Sequence, residues 1–153
     1  MPKITPFLWF DNQAEEAMNY YISIFKNGKV LSVNRMNGKV FTVSFELEGQ
    51  QFTGLNGGPM FKFTEAISLF VNCETQEEVD ELWERLSAGG EKGHCGWLKD
   101  KYGLWWQIIP KALGQLMSDP DPGKSTAVMQ AMLKMNKIII QDLKQAYDGA
   151  AAA

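Results

Sequence analysis

The polarity pattern of this chain changes period several times, and each change marks an element. Residues 4–10, ITPFLWF, alternate and are rich in aromatics, which predicts a strand. In DNQAEEAMNYYISIF the apolar positions Ala14, Ala17, Met18, Tyr21 and Phe25 follow the spacing of one helix face. Asn12, with Glu15 three residues on, fits a capping box, and Gly28 can close the helix in a left-handed conformation. Two strands then meet at Asn37-Gly38, the dipeptide favoured by a two-residue hairpin turn. The second of them, VFTVSFEL, sets Phe41, Val43, Phe45 and Leu47 on one face and Thr42, Ser44 and Glu46 on the other. Glu48-Gly49 turns the chain into a third strand, QQFTGL.

The same order then recurs. AISLFVN predicts a strand, and TQEEVDELWERLSAGG a helix with Thr75 and Glu78 as its capping box and Gly89 as its stop. Val79, Leu82, Trp83 and Leu86 form its buried stripe. Laid over the first helix, Glu77 meets Glu15, Glu78 meets Glu16, Val79 meets Ala17 and Trp83 meets Tyr21. Two amphipathic helices can match by chance, but here caps, stops and flanking strands all recur in order, which argues for a duplicated strand-helix-three-strand module. CGWLKDKYGLWWQII supplies two strands turning near Tyr102-Gly103.

The loop between the halves, NGGPMFKF, is rich in glycine and aromatics. Beyond Pro110 the repeat stops: KALGQLMSD reads as a short helix, PDPG as a turn, and STAVMQAMLKMNKIIIQDLKQAY as one or two helices. Methionines at 129, 132 and 135 mark a packed face, with a dimer contact or a lid over a site as the alternative. The expected organisation is α+β: a first module over 1–58, a second over 59–110, a helical extension over 111–147 and a disordered tail over 148–153, making one compact domain.

Composition narrows the function classes. A net charge of -3 disfavours nucleic-acid binding, which needs a basic face. MPKITPFLWF has no apolar run long enough for a signal peptide or a membrane span. The two cysteines, Cys73 and Cys95, are too few for a disulfide framework and match no zinc spacing. A reduced, cytoplasmic setting is the expectation.

The stretch GHCGWLKDKYGLWWQIIP, residues 93–110, holds the single histidine, one of the two cysteines and three of the five tryptophans. His94 and Cys95 suggest a base and a nucleophile, but neighbours on an extended strand point to opposite faces, and no second histidine exists to lower the thiol pKa. Cys95 therefore reads as a small buried residue, with a place beside Trp97 on a site face as the alternative; His94 reads as a surface or loop residue. After Gly103, Trp105, Gln107 and Ile109 share one strand face, and Trp106 and Ile108 share the other.

ITPFLWFDNQAEEAMNYYISIF, FTGLNGGPMFKFTEAIS and CGWLKDKYGLWWQIIP resemble the PhnB-like branch of the vicinal oxygen chelate superfamily, which includes glyoxalase I, extradiol dioxygenases and bleomycin-resistance proteins. Members of this branch often carry the label 3-demethylubiquinone-9 3-methyltransferase. The resemblance runs from about residue 3 to residue 146. It implies two curled half-barrel modules, a ligand cleft and a homodimer.

Metal-dependent members draw ligands from the first and last strands of each module, commonly histidine or glutamine with glutamate. By that resemblance the corresponding positions here are Thr5, Thr53, a residue near Ala66, and Gln107, the last standing four residues after Gly103 in a D-x-x-G pattern. Neutral donors of this kind hold a divalent ion poorly, so no metal and no cofactor are expected. The same geometry turns Gln107 toward the site, with Trp105 beside it; Thr5, Phe7, Trp9, Thr53 and Trp97 complete the expected ligand-binding set.

Two functional readings follow. One is a binding protein for a small aromatic or apolar molecule, acting as a homodimer without nucleic-acid or membrane partners. The other is an enzyme of lyase, isomerase or dioxygenase type, or a methyltransferase as the label says, with Glu65, Cys95 and Tyr102 as candidate acid-base or nucleophilic groups. No glycine-rich turn opens a helix after a parallel strand, as a typical methyl-donor site requires: NGG at 56–58 opens no capped helix, and AGG at 88–90 closes one.

Overall fold

A computed structural model describes residues 2–150 and divides into two units, one up to Phe63 and one from Thr64 onward. In the first, the order is β1 (Phe7–Phe10), α1 (Ala14–Ile24), β2 (Lys29–Met36), β3 (Lys39–Leu47) and β4 (Gln50–Asn56). In the second, it is β5 (Ser68–Cys73), α2 (Gln76–Ser87), β6 (Glu91–Lys92), β7 (Trp97–Lys99) and β8 (Trp105–Pro110), followed by α3 (Lys111–Met117), α4 (Pro122–Leu133) and α5 (Ile140–Gly149). The sheets run β1-β4-β3-β2 and β5-β8-β7-β6, each with one parallel pair, β1 with β4 and β5 with β8. The duplicated module expected from the sequence is present, and the fold is α+β.

Local chemistry explains the turns. Asn37 and Gly38 both take positive φ, 53° and 78°, and Glu48 and Gly49 repeat this at 49° and 83°. Paired left-handed residues give the backbone twist a two-residue hairpin needs. In the first unit, α1 buries Ala14, Ala17, Met18, Tyr21 and Ile24 against Val43, Phe45, Leu47 and Phe52 of the sheet. Gly54 allows this approach: a Cβ there would stand 3.0 Å from Val43 Cγ2 and 3.5 Å from Ala14 Cβ. Phe41, placed by alternation with the buried set, is exposed near the hairpin tip. In the second unit, Val79, Leu82, Trp83 and Leu86 of α2 are buried as expected, as are Leu98, Trp106 and Ile108 of the sheet.

Several local expectations are corrected. The N-cap of α1 is Gln13 and makes no side-chain cap bond; instead Asn56 Oδ1, from the end of β4, accepts the Ala14 N–H at 2.8 Å. Asn27, φ 57°, takes the left-handed position after α1 that Gly28 was expected to hold. The first strand begins at Phe7 rather than at residue 4, although the Pro6 carbonyl still accepts from Thr53 N at 3.0 Å. Pro6 has no N–H to extend the ladder. The second module's strand begins at Ser68, because Thr64 folds the preceding residues into a turn, its Oγ1 accepting from Ala66 N at 3.3 Å. At α2 the Thr75 cap forms, its Oγ1 accepting from Glu78 N at 3.2 Å, while the Glu78 carboxylate accepts from Glu74 N at 3.3 Å, one residue before the box would have it; Gly89 follows with φ 76°. Pro122 and Gly123, expected in a turn, open α4 behind the Asp121 cap.

The last three helices are built on the second unit's own core of Ile109, Leu113, Val128, Ile138 and Leu143. Met132 and Met135 pack against that core, whereas Met129 is exposed, so the methionine stripe divides. Asp148 and Gly149, placed in the expected tail, belong to α5; residues 151–153 lie outside the described residues.

Candidate functional site

The face of the second sheet turned away from α2 carries three of the expected site residues, Trp97, Trp105 and Gln107. Alternation puts Trp106 and Ile108 on the buried side, 2% and 0% exposed, and leaves Trp105 and Gln107 half-buried on the other. Register completes this second face: Trp105 pairs with Ser68 and Lys99, and Gln107 pairs with Phe70 and Trp97. Two diagonals cross it. The Trp97 and Trp105 rings meet edge to face with centroids 6.4 Å apart, and Gln107 Nε2 donates to Ser68 Oγ at 3.0 Å. With its amide N–H directed to Ser68, Gln107 has its Oε1 left to accept, and the Ser68 hydroxyl is left to donate. Phe70 is exposed beside them. Lys99 Nζ stands 5.7 Å from the Trp105 centroid and pairs with Glu91 at 3.5 Å, so its charge is partly answered.

Ser68, Phe70 and Lys99 were not among the residues expected from sequence. Their own alternation, Ser68 with Phe70 and Trp97 with Lys99, was legible; the parallel register of β5 on β8 that sets them beside Trp105 was not.

The first unit bears a comparable face opposite α1. Phe7 pairs with Thr53, and Thr53 with Ser44, whose hydroxyl lies 3.5 Å from Thr53 Oγ1. Trp9 falls one row on, opposite Leu55, and its Nε1 donates to Gly58 O at 2.9 Å while its ring meets Phe61 edge-on at 4.8 Å. The glycine-rich loop thus folds onto Trp9, and Gly57 is required there: a Cβ would stand 2.4 Å from the indole. Thr5 precedes β1 and is half-buried.

A buried carboxylate shapes the turn before β8. Asp100, 1% exposed, accepts through Oδ1 from Tyr102 N at 2.8 Å and Leu104 N at 3.0 Å, and through Oδ2 from Trp106 Nε1 at 2.9 Å. Gly103, φ 89°, completes the turn, so the D-x-x-G pattern is a device for launching β8 in register.

The expected catalytic candidates, Glu65, Cys95 and Tyr102, all stand in turns of the second unit rather than on its strands. Glu65 is exposed in the turn before β5. Tyr102 is half-buried in the Asp100 turn, with Lys101 Nζ 5.4 Å from its ring centroid. Cys95 corrects the strand reading of residues 93–96. It takes φ 57°, followed by Gly96 at 83°, and Trp97 N donates to His94 O at 3.0 Å, so His94 and Cys95 sit in a tight turn rather than along a strand. Cys95 is half-buried and does not continue the Trp97 face; His94 is exposed, its Nδ1 2.8 Å from Asn136 Oδ1. Cys73, by contrast, is buried, and loss of hydration together with nearby Glu78 pushes its thiol up to about 12, against a bond with the Ile109 backbone that lowers it.

The metal positions implied by resemblance do not fit a divalent ion. Thr5 and Thr53 offer neutral hydroxyls, Ala66 offers no side-chain donor, and Gln107 offers one neutral amide oxygen, a weak set for a divalent ion. Among the described residues no three His, Cys, Asp or Glu side chains group as a metal site. A methyl donor of the usual kind does not fit either. The chain leaves β4 into the loop that covers Trp9, without opening a helix, and Gly89 and Gly90 follow α2 instead of leading into one.

A family model described as 3-demethylubiquinone-9 3-methyltransferase matches residues 2–109. No curated protein matches the chain. A PhnB protein from Bacillus cereus, under the same methyltransferase description, is 38% identical with a TM-score of 0.68, the match covering 71% of this chain and 99% of that one. A protein from Pseudomonas aeruginosa, 16% identical with a TM-score of 0.61 over 72% of this chain and 98% of its own, shares the fold. A glyoxylase/bleomycin resistance protein/dioxygenase domain from Frankia is 16% identical over 72% of this chain and 92% of its own, with a TM-score of 0.49. With the family model spanning both modules and the Bacillus cereus PhnB protein alike over most of the chain, the chain belongs to the 3-demethylubiquinone-9 3-methyltransferase family, with PhnB among its members.

Proposed function

We propose that this protein binds a small planar aromatic or apolar molecule without a tightly held metal, using the face of its second sheet built by Trp97, Trp105, Phe70, Gln107 and Ser68. The observation that carries the reading is an aromatic pair and an amide-hydroxyl pair set side by side on one face. Aromatic side chains supply large apolar area with directional edges, and one donor and one acceptor beside them fix a ligand's orientation. Thr5, Phe7, Trp9 and Thr53 offer a second face of the same character in the first unit. A cytoplasmic setting and a homodimer belong to the same reading, the first supported by two unpaired cysteines and the second by family likeness.

The test is a thermal-shift panel of small metabolites. A true ligand present at 100 times its Kd stabilises by about 2.7 kcal/mol, a rise of several degrees. Trp105→Ala should abolish that rise in a folded protein. A panel with no stabilising compound, or a rise that survives the substitution, contradicts the proposed face. Stoichiometric metal in protein purified without chelator would replace this reading with that of a metal enzyme.

A further inference from the structure

The family model ends at residue 109, and the three helices beyond it pack on Ile109 of β8 and also reach the turn before β7. The segment joining α4 to α5 lies along the tight turn that precedes β7. Cys95 N donates to Met135 O and Gly96 N to Asn136 O, both at 2.8 Å, and His94 Nδ1 meets Asn136 Oδ1 at the same distance. Gly96 is wedged between β8 and this segment: a Cβ would stand 2.6 Å from Ile109 Cδ1 and 3.2 Å from Ile138 Cγ1.

The segment is itself held by Gln76 and Asp80, at the start of α2. Gln76 Nε2 donates to Ile138 O at 3.0 Å, Gln76 Oε1 accepts from Ile140 N at 2.8 Å, and Lys137 pairs with Asp80 at 2.9 Å. The bonds run through backbone groups of the segment at both ends, so it flanks like an added strand the side of the turn that β8 does not bond and that β6, only two residues long, does not reach. Trp97 is the next residue after Gly96.

From this geometry we infer that residues 135–140 are a clasp that sets the orientation of Trp97 against Trp105, with Gln76 and Asn136 as positioning residues for the ligand face. The inference rests on that face being the binding site. The turn closes on itself through Trp97 N to His94 O and Gly93 N to Trp97 O and meets β8 through Ile108 N to Gly96 O, at 3.0, 2.9 and 2.8 Å; the segment adds the bonds to Cys95 N and Gly96 N on the opposite side. The clasp therefore acts on the shape of the aromatic pair before any ligand arrives.

Circular dichroism tests this on the whole chain, because two tryptophans at 6.4 Å give an exciton couplet in the far ultraviolet. Trp97→Phe identifies the couplet. In Gln76→Ala and in Asn136→Ala, proteins that keep the wild-type helix content should lose couplet intensity toward the Trp97→Phe level, and Gln76→Glu, which keeps the acceptor for Ile140 N, should recover part of it. An unchanged couplet in both alanine variants overturns the inference. Should either variant not fold, amide exchange in the wild type decides: Cys95 and Gly96 N–H groups should be protected like those of β8, and free exchange there overturns it. Binding of 8-anilinonaphthalene-1-sulfonate separates the two claims. A couplet lost in the variants while the wild type binds no such probe retains the clasp and removes the binding site. A couplet retained while binding falls removes the clasp.

Discussion

Replacing Asp100 gives the sharpest energetic consequence of this structure. Its carboxylate is 1% exposed and accepts from Tyr102 N, Leu104 N and the Trp106 indole N–H at 2.8, 3.0 and 2.9 Å. Hydrogen bonds to a charged acceptor contribute about 1.5–3 kcal/mol each, and a buried donor left without a partner costs about 1–3 kcal/mol. Asp100→Ala strips the acceptor from all three donors. Part of the loss is returned, because water reaches the half-buried Tyr102 and the desolvation of the carboxylate itself disappears. A net destabilisation of about 3–5 kcal/mol is expected. Asp100→Asn keeps one oxygen for the two backbone donors but sets an amide N–H₂ against the indole N–H, which should cost about 1.5–3 kcal/mol. Urea unfolding followed by both circular dichroism and indole fluorescence measures this and also shows whether the transition is two-state. An alanine variant within about 1 kcal/mol of the wild type would refute the view that this carboxylate holds the turn before β8.

Other consequences are as direct. Cys73, with its thiol pushed to about 12, should resist an aromatic disulfide reagent at pH 8 in the native protein, while half-buried Cys95 reacts; in urea both should react, and a fast native reaction of Cys73 would contradict its burial. A neutral Cys73 thiol contributes stability below the ordinary thiol range that is lost as pH rises toward 12. Tyr147 donates to Asp119 at 2.5 Å, and this bond holds the Asp119 carboxyl below its ordinary range and raises the Tyr147 phenol. The Asp119 contribution is present above the ordinary aspartate range and lost as pH falls through its lowered value. The Tyr147 contribution is present below the ordinary tyrosine range and lost as pH rises through its raised value. Tyr147→Phe should therefore lower Tm near neutrality and flatten both limbs of its pH profile; an unchanged profile would show the bond to be idle.

How far the sequence reveals this molecule depends on whether a feature is local. Asn37-Gly38, Thr75 with Glu78, and the stripe from Val79 to Leu86 are written in adjacent residues, and each forms as its chemistry dictates. The Asn12–Glu15 pair at α1 has the same spacing as Thr75–Glu78 at α2, yet Asn56, arriving through the β4 strand, takes the capping role. Only the folded register could supply that competitor. The site divides in the same way. Alternation separates Trp105 and Gln107 from Trp106 and Ile108, because a strand has a period of two. Ser68 and Phe70 join them only through parallel pairing, and the turn at Cys95 takes two of its bonds from residues 135 and 136. No periodicity encodes contacts across such distances. Asp100 shows the converse: its spacing to Gly103 was legible as a motif, but its partnership with the Trp106 indole was not.

The most direct measurement of the central claim is the indole N–H spectrum of the ¹⁵N-labelled protein, titrated with the compound that gives the largest thermal shift. Five tryptophans report at once. Trp97 and Trp105 resonances should move together and saturate with the binding curve, while those of Trp83 and Trp106, buried beneath the sheet and α2, stay in place. Movement confined to Trp83 and Trp106, or saturable binding that leaves Trp97 and Trp105 untouched, would contradict the assignment of this face as the ligand site.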